Sequence, residues 1–292
     1  VQLYIDRKKT KRLQDQVFKL LTPKDLSLAS FDDVVGHERI KKKLKGWARR
    51  LEQGEENTQH SILLTGEPGT GKSMLTRAFA ARISKDTSLL NVNCEALLEK
   101  PETIVLLEKE LKKLQKKNKP LVLLMDEIGT VGDRTKTTEA AQYSLIVRIL
   151  KIMDGLGGKV AIVGTANNPE RMDRAMRNRF PEVLPVPPPT LDERIQQLRI
   201  YLGKAKLLPD DSVNVDQAAL QMDGLTGRRI EYVTQVLRNS LLDDQGNLDE
   251  KGTHKKHPAK ELQPMRFNQQ QLLEAIEDTQ DPTEQKPFSQ VG

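Results

Sequence analysis

Short apolar runs alternate with helical patterns along the first two thirds of the chain. The runs occupy residues 61–65, 89–92, 121–125, 160–165 and 182–186. Runs of this length are typical of strands buried on both faces, and their alternation with helices predicts a parallel sheet covered on both sides. Because Pro185 in the last run cannot donate a hydrogen bond to a neighbouring strand, we expect that strand at an edge of the sheet.

A proline-rich segment, PVPPPT at residues 185–190, ends the alternation. The later patterns are helical and occupy residues 191–202, 216–222, 228–242 and 268–279. The fold class predicted is therefore α/β, with a doubly wound parallel sheet over residues 31–188 and a smaller C-terminal α-helical domain over residues 189–280.

The two ends of the chain carry weaker patterns. Residues 1–30 contain the basic stretch DRKKTKR and then a weakly periodic helix through Val17, Leu20 and Leu21. We expect this segment to form an N-terminal arm or linker. Residues 281–292 are expected to form a disordered tail.

The stretch GEPGTGKS lies between the first apolar run and a helical pattern. Its spacing fits the loop that binds nucleotide phosphates, a match that chance gives in roughly one chain in a hundred of this length, so the strand-to-helix context matters. Glycines let backbone amides close around phosphates at a helix N-terminus, Lys72 should reach the β- and γ-phosphates, and the Ser73 hydroxyl should hold Mg²⁺. The alternative is an ordinary glycine-rich turn. The residues expected to bind ATP here are Gly66, Glu67, Pro68, Gly69, Thr70, Gly71, Lys72, Ser73 and Met74.

The stretch LVLLMDEIG provides acidic residues at the end of a buried strand. The carboxyl ends of parallel strands form the edge at which open α/β sheets bind ligands. Asp126 is expected to support the Mg²⁺, and Glu127 to orient or deprotonate the attacking water. A strand that merely ends in solvated acids is the alternative.

The amino-acid composition bears on the possible partners, metal sites and cellular compartment of the protein. Charged residues make up 30%, hydrophobic residues 37% and aromatic residues 4%, and the net charge of +6 is compatible with an acidic partner without naming one. One cysteine, Cys94, excludes a disulfide framework and a thiolate metal cluster, and it favours the cytoplasm or another reducing, intracellular compartment. No apolar run approaches the ~20 residues that a membrane-spanning helix needs.

The chain from Phe31 to about Thr279 resembles the AAA family of ATPases. The segments that carry the resemblance follow the family's order and are FDDVVG, LLMDEIGTVGDR, RILKIMDGL and IVGTANNPERMDRAMRNRF. The last of them lacks a Pro-Gly insertion and is similar to the katanin and spastin branch. The resemblance implies an ATPase that acts with Mg²⁺ in a homo-oligomeric ring, hexameric in the family, with ATP between the P-loop domain and a helical lid domain.

The resemblance also implies roles for further residues. The backbone near Val35 and Gly36 would border the adenine, and Asn167 would lie between the γ-phosphate and the water. Arg177 and Arg179 occupy positions from which an arginine finger reaches the nucleotide of the neighbouring subunit, and the sequence leaves open which one is the main finger. A basic helix end that contacts carbonyl groups is the alternative for both.

Two other positions carry weaker implications. Arg228 stands near the start of the lid helix, where the wider superfamily places an arginine that touches the γ-phosphate. Asn93 could control Glu127, or it could simply cap the end of its strand.

The leading functional hypothesis is ATP hydrolysis coupled to remodelling or disassembly of an unidentified protein partner. The stretch NCEALLEKPETI lacks the aromatic residue and the glycine with which family members thread polypeptides, so threading is in doubt. A nucleic-acid-associated loader is one alternative, but the basic stretch EKELKKLQKKNK has no aromatic residues for base stacking, so nucleic acid is not favoured. A nucleotide-gated scaffold with little turnover is the other.

Overall fold

The computed structural model describes residues 11, 15–27, 29–53, 61–131, 140–157, 159–244 and 263–280. Its contacts divide the chain into two compact units, the first comprising Val1–Glu67 and Gly71–Pro187, and the second comprising Pro68–Thr70 and Pro188–Gly292. The tail expected at residues 281–292 lies outside the described residues, as does the basic N-terminal stretch apart from Lys11.

The first unit is built on a six-stranded sheet. Its strands are β1 (Phe18–Leu21), β2 (Ser61–Thr65), β3 (Ser88–Asn93), β4 (Leu121–Asp126), β5 (Val160–Ala166) and β6 (Glu182–Pro185). They lie in the order β1-β3-β4-β5-β2-β6, and every neighbouring pair is parallel except β1 and β3. The strand that contains Pro185 lies at an edge of the sheet, which confirms the prediction.

Helices of the first unit cover both faces of this sheet. They are α1 (Pro23–Leu26), α2 (Glu38–Glu52), α3 (Lys72–Ile83), α4 (Cys94–Glu99), α5 (Ile104–Gln115), α6 (Ile128–Val131), α7 (Ala140–Gly155) and α8 (Arg174–Arg177), with 3₁₀ turns at Phe31–Asp33, Pro101–Thr103 and Pro169–Arg171. Alternate residues of β4 enter different cores: Leu123 packs in the core that includes α5 and α7, and Val122 packs in the core that includes α2 and α3. The predicted doubly wound α/β fold is therefore confirmed.

The weakly periodic helix expected around Val17–Leu21 is wrong, because Phe18–Leu21 form strand β1. This strand pairs antiparallel with β3, from Phe18 opposite Val92 to Leu21 opposite Leu89. Leu20 packs against one core of the unit and Leu21 against the other, as the two-residue period of a strand requires. Hydrogen bonding to the edge of the sheet, which no local pattern reveals, decides the conformation of this segment.

The second unit is mainly helical. Its elements are α9 (Leu191–Lys204), β7 (Leu207–Pro209), α10 (Val215–Gln221), α11 (Gly227–Asp244), β8 (Met265–Phe267) and α12 (Gln269–Gln280). After the proline-rich segment, α9 begins with a capping box in which Thr190 and Glu193 each bond the other's backbone N–H. The sequence did not indicate the short parallel pair β7–β8, whose Met265 and Phe267 join the helices in the core of this unit.

Candidate functional site

The loop from Gly66 to Gly71 connects β2 to α3. Gly66 and Gly71 have φ angles of 147° and 101°, a region that residues with side chains rarely adopt. Gly71 is the N-cap of α3, and the Gly66 N–H donates to the carbonyl of Ala166 at the end of β5 (3.2 Å). The glycines thus let the backbone turn sharply and leave the N-terminus of α3 directed at the loop, which is an environment suited to an anion.

Lys72 lies inside this loop and is only 6% exposed. Its Nζ donates to the carbonyls of Gly66 (2.6 Å) and Glu67 (3.0 Å) and to Asn167 Oδ1 (3.0 Å). The ammonium group is therefore held between the loop and the end of β5. A positively charged group at this position can attract a phosphate.

The two acidic residues follow the neighbouring strand β4. Asp126 ends the strand, and its Oδ1 accepts a hydrogen bond from Thr165 Oγ1 (2.7 Å). The Glu127 N–H donates to the same Thr165 oxygen (2.8 Å). Glu127 itself has a left-handed backbone, with φ of 54°.

The carboxyl group of Glu127 has a raised pKa. Burial is the main cause, and the charges of Asp126 and Glu95 act in the same direction. The positive charge of Lys72 and a hydrogen bond with the side chain of Asn167 oppose this increase. Asn167 thus bonds the lysine of the loop and acts on the pKa of the expected catalytic base.

The two candidate arginine fingers differ in their surroundings. Arg179 makes a bidentate pair with Asp154 at the end of α7, with its Nε and Nη2 at 3.0 and 2.8 Å from the two carboxylate oxygens. This hydrogen bonding lowers the pKa of Asp154 and raises that of Arg179. Arg179 Nη1 also donates to the carbonyl of Ala175 (3.3 Å), the kind of contact expected of a basic helix end. Arg177, the last residue of α8, is exposed.

Residues 62–188 match the model of AAA, the ATPase family associated with various cellular activities. This segment of the chain therefore matches an AAA domain. The match begins within β2, includes Lys72, Glu127 and Asn167, and ends just beyond β6.

Curated relatives are similar to this chain in sequence, and solved structures share its fold. Human vacuolar protein sorting-associated protein 4A is 28% identical over 251 residues, which cover 81% of this chain and 55% of that protein. A solved structure of katanin, from work on the structural basis of its self-assembly, aligns with a TM-score of 0.70 at 21% identity, and it covers 92% of this chain and 93% of that one. The structure of the FIGL-1 AAA domain in complex with ADP also aligns with a TM-score of 0.70, at 19% identity, and the alignment covers 95% of this chain and 93% of that one. The matches to three curated relatives cover 60%, 65% and 55% of their lengths, so the chain spans less than two thirds of each.

The remaining candidates lie outside the cluster of Lys72, Glu127 and Asn167. Val35 and Gly36 lie between a 3₁₀ turn and α2, and Ser73 and Met74 are exposed in the first turn of α3. Asn93, the last residue of β3, caps the helix that follows, α4, because its Oδ1 accepts from the Ala96 N–H (3.0 Å).

In the second unit, Arg228 and Arg229 occupy the first turn of α11. The side chain of Arg228 is exposed. The Nη2 of Arg229 donates to the carbonyl of Thr279 in α12 (2.8 Å). A structural contact therefore accounts for Arg229, and Arg228 stays the candidate for a phosphate contact.

Ser73 and Asp126 have the donor chemistry that Mg²⁺ prefers. A hydroxyl and a carboxylate oxygen are hard ligands, and Mg²⁺ is usually bound by one or two such groups together with substrate phosphates and water. Within the described ranges, no group of three or more His, Cys, Asp or Glu side chains is arranged to hold a metal ion. The residues thus fit an ion that arrives with a nucleotide.

Thr165 is the residue of this site that the motifs did not reveal. It is fully buried on β5 and bonds both acidic residues of the β4 end. The one available signal was a polar residue in an otherwise apolar strand.

In the part of the chain that the structure describes, no helix is long and apolar enough to cross a membrane.

Proposed function

We propose that this AAA domain binds ATP and hydrolyses it with Mg²⁺. The observation that carries the proposal is the hydrogen bond from Lys72 to Asn167 (3.0 Å) beside a phosphate-type loop, with Glu127 near enough for both side chains to act on its pKa. A cation, an amide and a carboxylate lie next to one another at the carboxyl edge of a parallel sheet, where such sheets bind ligands. Phosphoryl transfer needs these groups for positioning and charge stabilisation.

Each residue of the cluster has a separate task in this proposal. Lys72 binds the β- and γ-phosphates with its ammonium group, and Glu127 accepts a proton from the attacking water. Asn167 holds that water and the carboxylate of Glu127 in line. Ser73 and Asp126 hold Mg²⁺, which neutralises charge on the phosphate oxygens when it is bound.

Catalysis in this proposal requires a second copy of the chain, and the ring is a hexamer. Arg177 is exposed at the end of α8, which suits a finger that reaches the nucleotide of a neighbour. Arg179 is engaged by Asp154 in its own chain, so we assign Arg177 as the main finger and Arg179 as its support. The structural likeness to katanin, which self-assembles, favours assembly of this fold.

The work done by this ATPase is remodelling or disassembly of a protein partner without threading. The segment at which family members carry a gripping aromatic residue forms α4 in this chain. Its Leu97 is fully buried in the core, and Leu98 packs partly buried against the same core. Neither leucine is presented as a contact for a moving polypeptide.

We propose a reducing intracellular compartment as the location of the protein.

Nucleic acid remains a less favoured partner than protein. Leu107, Leu111 and Leu114 are buried on one face of α5, so the lysines of the basic stretch that lie in this helix occupy the solvated face of a packed helix. Binding to DNA or RNA that weakens steeply with salt would instead indicate a loader.

Mixing two inactive variants tests whether the active site is shared between chains. Arg177→Ala/Arg179→Ala keeps its own base but lacks fingers, and Glu127→Gln keeps its fingers but lacks the base. A mixture should regain part of the ATPase activity, because fingers from the second variant complete the sites of the first. Each variant alone at the same total concentration is the control. Wild-type turnover by a proven monomer, independent of concentration, would contradict the proposal.

A further inference from the structure

The backbone of Glu127 adopts a conformation that a residue with a side chain seldom takes. Its φ of 54° lies in the left-handed region, in which few non-glycine residues are found. Such a conformation persists only where the surroundings hold it, and it is found preferentially at functional sites. The groups that hold Glu127 therefore decide where its carboxylate lies.

Hydrogen bonds fix both peptide groups of Glu127. Its N–H donates to Thr165 Oγ1 (2.8 Å). Its carbonyl accepts from the N–H and the Oγ1 of Thr130, at 3.0 and 2.7 Å. The contact to Thr165 is the one that crosses from β4 to the neighbouring strand β5, so it ties the left-handed turn to the frame of the sheet.

The hydroxyl of Thr165 also fixes the second acidic residue. A hydroxyl has one proton to donate, and Thr165 gives it to Asp126 Oδ1 at 2.7 Å. Its oxygen is then free to accept the N–H of Glu127. Thr165 is fully buried, so water cannot readily replace either hydrogen bond.

We propose that Thr165 is a positioning residue that aligns Asp126 and Glu127 for ATP hydrolysis through this one hydroxyl. The inference rests on the proposed role of Glu127 as the catalytic base. Thr165 acts on the chemical step, because it bonds the two acidic residues. Lys72, which is expected to bind the phosphates, is held by the loop and by Asn167 and not by Thr165. Loss of the hydroxyl should therefore lower kcat far more than it weakens nucleotide binding.

Thr165→Val removes the hydroxyl while it keeps the shape of the side chain. Since a displacement of about 1 Å can cost about 100-fold in rate, we expect kcat to fall about 10- to 100-fold. The Kd for a non-hydrolysable ATP analogue, measured by calorimetry without Mg²⁺ so that Asp126 has no ion to hold, should change by less than about threefold. Thr165→Ser restores the hydroxyl and should recover kcat to within about threefold of wild type.

Thr103→Val is the matched control. Thr103 is also a fully buried threonine of the first unit, but its hydroxyl donates to the carbonyl of Lys100, in the segment between α4 and α5. This control should keep the wild-type kcat. If the Thr165→Val protein fails to bind the analogue, Thr165→Ala repeats the comparison with a smaller side chain. Wild-type kcat in the valine variant, or a serine variant as slow as valine, would overturn the inference.

A double variant separates this inference from the proposed function. If Thr165 acts partly through Glu127, then Thr165→Val should slow Glu127→Gln by a smaller factor than it slows the wild type, and any remaining loss comes through Asp126. An equal or larger fold-loss in the Glu127→Gln background would overturn the positioning of Glu127. If Glu127→Gln alone hydrolyses ATP at the wild-type rate, the proposed function fails and the inference falls with it. If Glu127→Gln is inactive and Thr165→Val is normal, only the inference fails.

Discussion

Replacement of Leu97 by alanine should destabilise the first unit, because this side chain is part of its core. Leu97 is fully buried on α4 and packs in the cluster that includes α5 and α7. Truncation of a buried leucine to alanine typically costs 2–5 kcal/mol, and full burial points to about 3 kcal/mol here. Leu98, which is only partly buried in the same helix, provides the matched control, with an expected cost of about 1 kcal/mol.

Urea unfolding followed by tryptophan fluorescence measures this difference. Trp47 is the single tryptophan of the chain and lies buried in α2, so its emission reports on the first unit. With an m-value of about 3 kcal/mol/M, a loss of about 3 kcal/mol lowers the midpoint by about 1 M urea. The m-value should not change, and ATPase activity per folded molecule should remain close to that of wild type.

Two results would refute the assignment of Leu97 to the core. One is a destabilisation below about 1 kcal/mol, equal to that of Leu98→Ala. The other is a stable Leu97→Ala protein that has lost ATP-dependent unfolding of a folded fluorescent substrate, since that result would make this leucine a gripping residue and would restore threading.

Three further predictions concern other parts of the first unit. Asp154→Asn removes the carboxylate that holds Arg179, so it should lower turnover about as much as Arg179→Ala does. Because the pair is partly exposed, the free energy of unfolding in urea should fall by less than about 1 kcal/mol, and unchanged turnover would contradict this prediction. Gly164→Ala should lower the free energy of unfolding by about 1–3 kcal/mol, since the added Cβ would lie 2.7 Å from Phe180 Cζ; an unchanged melting temperature would argue against it. Cys94 should react with iodoacetamide at pH 8 far more slowly in the native protein than in urea, because burial raises the pKa of its thiol; equal rates would count against this.

The parts of the site that follow from local spacing were predictable from the sequence. The loop glycines and Lys72 lie within seven consecutive positions, 66–72, and their geometry follows from one strand-to-helix turn. Asp126 and Glu127 are adjacent, and their position follows from the end of one strand. Asn167 was identified by resemblance, and its hydrogen bond from Lys72 places it beside the loop.

Contacts between distant parts of the chain were not predictable in the same way. Thr165 bonds Asp126 across 39 positions of sequence, and its partner depends on which strands are neighbours. The pairing of Arg179 with Asp154 likewise depends on how α7 and α8 pack, which is why the sequence left the two arginines equivalent. Strand β1 was missed because four residues carry too little periodicity to outweigh a helical pattern.

Single-turnover phosphate release from bound ATP tests the central claim most directly. With the protein in excess over ATP and Mg²⁺ present, the measurement separates the chemical step from binding and product release. Glu127→Gln should keep nucleotide binding and release phosphate about 10²–10⁴ times more slowly than wild type, the usual contribution of a positioned general base. Lys72→Ala should fail to bind ATP in the same experiment. Phosphate release at the wild-type rate by Glu127→Gln would contradict the account.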